Sequence, residues 1–137
     1  MADLTITATS VLKSTNAKTK HGVAGAAITA GQALYLDTAT GTLKLSDTDS
    51  ATALARTCVG LALHGAASGQ PVEYQFDGLI TIGATVAAGI PYFLSGNAGG
   101  ICALADVAAG DYPLFIGFGV SVTQIDLHLI ASGVVMV

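Results

Sequence analysis

Apolar residues along this chain gather into short runs of strand length, separated by turns rich in glycine. The clearest alternation covers residues 72–77, where Val72, Tyr74 and Phe76 alternate with Glu73, Gln75 and Asp77. A period of two marks a strand with one buried face and one wet face. Ile125, Leu127 and Leu129 alternate with Asp126 and His128 in the same way. At the start, Leu4, Ile6 and Ala8 alternate with Thr5, Thr7 and Thr9, which predicts an N-terminal strand. Residues 14–20 then read as a loop. Further strands are predicted over residues 23–28, 33–37, 42–45, 59–63, 92–94, 114–122 and 134–137. Residues 46–50 supply N-cap candidates for a short helix through 51–55, and residues 105–110 carry a remnant of a second. About ten short strands at regular spacing predict an all-β fold, a compact sandwich or barrel with at most one or two short helices.

The pattern also repeats. Residues 30–37 (Ala-Gly-Gln-Ala-Leu-Tyr-Leu-Asp) return as residues 88–95 (Ala-Gly-Ile-Pro-Tyr-Phe-Leu-Ser). Each copy leads into a glycine turn and a short apolar strand, residues 41–45 and then 99–104. Residues 59–63 are echoed by 116–120, and residues 76–80 by 131–135. The spacing drifts from 58 to 55 residues, as small loop deletions would make it. The expected organisation is an extended N-terminal arm, residues 1–21, before one β domain, residues 22–137, built from diverged halves near 22–80 and 81–137. The N-terminal strand has no partner inside the repeat. That leaves two placements for it, the sheet of its own chain or the edge of a neighbour.

Composition adds a second constraint. Apolar residues make up 52% of the chain and charged residues 10%, against about a quarter in a typical globular domain. A soluble monomer normally carries more surface charge, which favours association over an Ala-rich monomer with a Thr and Ser surface. The net charge is −4, so no global field draws the chain to nucleic acid or anionic lipid. Its distribution is uneven. Lys13, Lys18 and Lys20 precede residue 22 with Asp3 as the one opposing acid, and the acids concentrate in the body. A basic arm on an acidic body suits docking on an acidic neighbour, and a solvated tail explains it equally. Residues 78–105 carry no charge, but glycines and Pro91 interrupt them too often for a membrane helix. No secretory signal opens the sequence, and Cys58 and Cys102 read as buried thiols. Cytoplasmic synthesis is the expectation.

Most chemical motifs fail on inspection. Asp47 and Asp49 begin a calcium-loop spacing, but Ala51, Thr52 and a missing closing acid break it, so they read as turn or cap residues. His21, His64 and His128 lack partners at metal-ligand spacing. Ser121 has no second glycine for a nucleophile elbow, and no Gly-Lys phosphate loop exists. The basic arm carries no aromatic residue for nucleic-acid stacking. The residues therefore predict no catalytic, cofactor or metal site, and a non-enzyme.

The order of the turn-and-strand blocks carries more. Leu34-Tyr35-Leu36 after Ala30-Gly31, Gly60-Leu61-Ala62, Gln70 with Val72, Tyr92-Phe93-Leu94-Ser95 with Gly99-Gly100-Ile101, Gly110-Asp111-Tyr112 and Ile116-Gly117 come in sequence. This order, over residues 22–137, resembles small virion β-domains of tailed phages, chiefly capsid cement (decoration) proteins and domains of head and tail fibres. The resemblance implies a structural protein on the outer capsid surface of a virion, often a homotrimer, which binds the major capsid protein and clamps neighbouring subunits. It implies no cofactor, nucleic acid or membrane. The contact candidates in the arm are Leu4, Ile6, Lys13, Lys18, Lys20 and His21. The alternative is a fibre or receptor-binding module, including a glycan-binding one. The absence of a repetitive shaft favours cement over fibre. A glycan site would need exposed aromatics, and Tyr35, Tyr74, Tyr92 and Tyr112 sit largely in apolar runs.

Overall fold

The computed structural model describes residues 3–132, 134 and 135. The fold is all-β, a curled antiparallel sheet with short 3₁₀ turns as its helical content. Ten strands are present: β1 (Val11–Lys13), β2 (Lys18–Val23), β3 (Ala33–Asp37), β4 (Thr42–Leu45), β5 (Gly60–Ala62), β6 (Pro71–Ile82), β7 (Pro91–Leu94), β8 (Ile101–Ala103), β9 (Leu114–Gly119) and β10 (Gln124–Ala131). In place of the helices expected over 51–55 and 105–110 stand the 3₁₀ turns Ala53–Arg56 and Leu104–Asp106, with 107–110 not helical, and a third such turn covers Ala8–Ser10.

The repeat is visible in the registers. The first half runs β4-β3-β5-β6 across the sheet, and the second runs β8-β7-β9-β10. Leu34 faces Leu45 and Gly60, and its counterpart Tyr92 faces Ala103 and Gly117. The turns of the two hairpins carry Gly41 (φ +72°) and Gly99 (φ +76°), a left-handed conformation that glycine adopts without steric cost. Gly60 and Gly117 are needed for a different reason. A Cβ on Gly60 would lie 2.6 Å from the carbonyl oxygen of Gln75, and one on Gly117 would lie 2.1 Å from that of Asp126. The same two contacts correct the last echo. Gln75 of β6 matches Asp126 of β10, so residues 76–80 do not correspond to 131–135. The β9–β10 connection is much shorter than the β5–β6 one, and that deletion shifts the alignment.

Long strand β6 links the halves. Tyr74 lies between Lys20 of β2 and Ala62 of β5. Further along, Ile80 lies between Lys13 of β1 and Ile125 of β10. Between these stretches the strand bends at Gly78 (φ +88°), whose Cα is packed so closely on the Asn16 carbonyl that a side chain would not fit. The fully buried Gln75 bridges the bend, donating from Nε2 to the carbonyls of Asp77 (3.1 Å) and Leu79 (2.8 Å).

Two apolar cores result. The larger joins Leu61, Ile80, Ile82, Leu94, Ile101, Ile116, Ile125 and Leu127, with Val11 of β1 inside it. The smaller gathers Leu34, Leu43, Val72 and Tyr74. Ala33 and Leu61 face the first core while Leu34 and Ala62 face the second, so β5 and the start of β3 are buried on both faces. This explains their unbroken apolar runs.

Several expected bounds change. Leu4 and Ile6 do bury one face against the larger core, but residues 4–7 form no ladder. The Leu4 amide bonds to Ile101 and the Thr7 amide to Gly83, two different elements, so alternation here reports burial without pairing. The expected loop at 14–20 gives way to β2 from Lys18, a polar strand whose lysines face solvent. The N-terminal segment is thus extended and lies along β6 of its own chain, and β2 crosses the expected boundary at residue 21. Residues 24–28 make single bridges, Ala24 with Leu43 and Ile28 with Ala66, in place of a strand. β9 stops at Gly119, and Val134 and Val135 lie outside any strand; residues 136 and 137 of that expected strand lie outside the described residues.

Gly117→Ala and Gly60→Ala should each destabilise the domain by about 1–3 kcal/mol, since backbone must move to admit one methyl. Denaturant titration should show Gly65→Ala much less affected, because its Cβ would come no nearer than 3.3 Å to its neighbour.

Candidate interaction surface

The candidate residues of the N-terminal segment divide by burial. Leu4 and Ile6 are half-buried against the core and are spent on the fold. Lys13, Lys18, Lys20 and His21 stand on the surface along β1 and β2. Lys13 Nζ lies 3.2 Å from Glu73, and His21 Nε2 lies 4.0 Å from the same carboxylate. Thr19, Lys13 and His21 together hold the Glu73 carboxyl below its ordinary range. Lys18 Nζ lies 3.5 Å from Asp77, which His128 also approaches at 3.7 Å. Lys20 differs. Its ammonium sits 5.2 Å from the centre of the Phe76 ring, a cation–π contact, and among the described residues it makes no ion pair.

Arg56 is the second cation of this kind. Its guanidinium stacks 3.8 Å from the centre of the Tyr112 ring and has no carboxylate partner among the described residues. Lys44 is matched, at 2.8 Å from Asp37, and holds that carboxyl below its ordinary range.

An apolar strip runs over the outside of the second half. Phe93, Phe115 and Phe118 form an edge-to-face chain with centroid separations of 5.7 and 5.1 Å. Ile130 lies opposite Phe115 on β10 and is 61% exposed, and Phe118 is 49% exposed. Neither Arg56 nor this strip was flagged by the sequence. The phenylalanines stand in runs that are apolar on both faces, which hides which side chain points outward.

The 46–49 loop is a seam between the halves. The Thr48 amide donates to Ser95 and its hydroxyl to the Tyr112 carbonyl, while the Ser46 hydroxyl donates to Thr57. Asp47 is therefore no helix cap; the turn that follows begins after Thr52 with no side-chain cap. Burial in the seam, with Asp49 bonded to it and Asp111 nearby, pushes the Asp47 carboxyl up to about 6. Cys58 and Cys102 are free thiols, raised by burial to about 11 and about 12, so neither is a thiolate at neutral pH.

Comparison with protein-family models and with curated proteins returns no match. Among the described residues, no helix is long and apolar enough to cross a membrane, and no three His, Cys, Asp or Glu side chains converge as a metal-binding group. A groove of about 350 Å³ is lined by Thr5, Thr7, Thr81, Thr85 and Thr123, with no aromatic ring on which a sugar would stack. Tyr74 and Tyr92 are buried, and Tyr112 is covered by Arg56.

Because the folded-state value of Asp47 is raised, its contribution is fully present below about pH 4 and is lost as pH rises through about 6. Asp47→Asn should therefore leave stability near pH 4 little changed and raise the melting temperature at pH 7–8 above that of the parent. Melting curves across pH check this.

Proposed function

We propose that the protein is a structural virion component that binds the outside of an assembled tailed-phage capsid as a homotrimer and clamps neighbouring capsid subunits. The observation that carries this reading is the apolar strip of half-buried Phe93 and Phe115 with exposed Phe118 and Ile130, on a chain with 10% charged residues. Contiguous apolar surface of this kind normally marks contact with another macromolecule. Leu12 and Val122, 62% and 67% exposed, add to the surface left bare. The trimer and the capsid partner come from the resemblance of the turn-and-strand blocks.

The mechanism is linkage. A clamp binds a surface that exists only after assembly, so it stabilises the assembled state by mass action and needs no covalent chemistry. Copies pack through the apolar strip, in a closed ring where one patch meets another. Of the N-terminal cations, Lys20 is available to meet acidic groups of the shell, and Lys13, Lys18 and His21 would do so by exchanging Glu73 and Asp77 for them. Leu4 and Ile6 act through the fold, by holding that edge in place.

Capsids stripped of accessory proteins, mixed with this protein and pelleted, should bind copies in numbers comparable to the shell subunit and gain heat resistance. The double variant Phe118→Glu with Ile130→Glu should fold, sediment as a monomer and bind far more weakly. Saturation at a few copies per particle would move the protein to a fibre or tail, and no binding would remove the capsid reading.

A further inference from the structure

The two unmatched cations stand at two cavities that lie end to end. One, of about 380 Å³, is bounded by Lys20, Val59, Phe76 and Leu129. The other, of about 170 Å³, is bounded by Arg56, Tyr112 and Ala131. Both draw wall residues from the same two stretches of chain, residues 56–59 just before β5 and residues 129–132 at the end of β10 and just beyond it. They read as one groove between the halves, with an apolar floor and a cation in each cell.

Charge bookkeeping makes the cations notable. The chain has nine acidic residues, and Lys13, Lys18 and Lys44 each lie within ion-pair distance of one. Lys20 and Arg56 are held over aromatic rings instead. A cation on a ring face keeps most of its capacity to meet an incoming carboxylate, and the apolar surroundings strengthen that pair. The backbone beside the groove is also open. The β6–β10 ladder ends at Asp77 and His128, and beyond it Ile130 and Ala131 pair with β9 and not with β6.

We infer that this groove receives an extended peptide segment of a partner protein in which apolar side chains alternate with carboxylates. Apolar side chains fill the two cells, carboxylates meet Lys20 and Arg56, and the segment's backbone lengthens the sheet along the open end of β10. This is strand addition, in which main-chain bonds supply affinity and pockets for alternate side chains supply specificity. The inference is independent of the shell reading, since it names the segment by its chemistry and not by the particle it comes from.

The test is selection from a library of random peptides on the full-length protein, followed by mapping of the selected peptides through backbone amide NMR shifts. The expected binders alternate apolar residues with Asp or Glu and shift the amides of residues 56–59 and 129–131. Replacing each peptide Glu by Gln should weaken binding by about two- to fivefold per charge, the size of an exposed ion pair. N-methylation of alternate peptide amides should abolish it. Lys20→Glu with Arg56→Glu should turn the preference toward Lys-bearing peptides. The peptide-side changes leave the protein untouched, so they hold whether or not that variant folds. A library that yields no binder, binders that shift other residues, or affinities indifferent to Glu→Gln would overturn the proposal.

Discussion

Strand β6 must serve both halves of the molecule, and that constraint organises the rest. An extended strand presents two edges, and along β6 both are taken. Tyr74, Gln75, Asp77, Ile80 and Thr81 each have the N-terminal segment on one side and β5 or β10 on the other. The strand can pass from one half to the other because Gly78 adopts a left-handed conformation and Gln75 satisfies the carbonyls turned inward there. Among the described residues the Gln75 Oε1 atom has no hydrogen-bond partner.

Surface chemistry follows from the same arrangement. Because β1 and β2 lie on β6, Lys13, Lys18 and His21 meet the acids of β6, and most of the cationic charge of the segment is used inside the chain. Such exposed pairs contribute little to stability. Their effect is to leave Lys20 and Arg56 as the cations without a carboxylate partner among the described residues, beside the apolar strip of the second half. Function in this fold is carried by surfaces and edges, with the two cores as a rigid support.

The hairpins were legible from the residues because their signal is local. Residues 33–37 and 42–45 coincide with β3 and β4, since Gly41 marks the turn and short apolar runs flank it. What depends on distant neighbours was not legible. The Lys and Thr residues of β2 carry no apolar signature, so only their partner β6 makes them a strand. Leu4 and Ile6 alternate like a strand, yet their amides bond to unrelated elements. The last echo was misaligned because glycine and valine recur at the chain end, while the true match rests on which carbonyl Gly60 and Gly117 approach. Of the candidate contacts, the lysines were found by charge alone. That Lys20 lacks an acid, and that Arg56 shares this state, depends on where β10 and the turn after Thr52 fall in space.

The account stands on the N-terminal segment being part of the sheet. Native-state hydrogen exchange tests this directly at the Ser14 and Ala24 amides, which bond to the carbonyls of Leu79 in β6 and of Gln70 just before it. Their references are the Leu63 and Ile82 amides, which tie β6 to the β5 and β10 sides. The account predicts that all four exchange through the same opening, with matching protection. Rapid exchange at Ser14 and Ala24 beside full protection at Leu63 and Ile82 would contradict it, and would make the segment an arm that only rests on the domain.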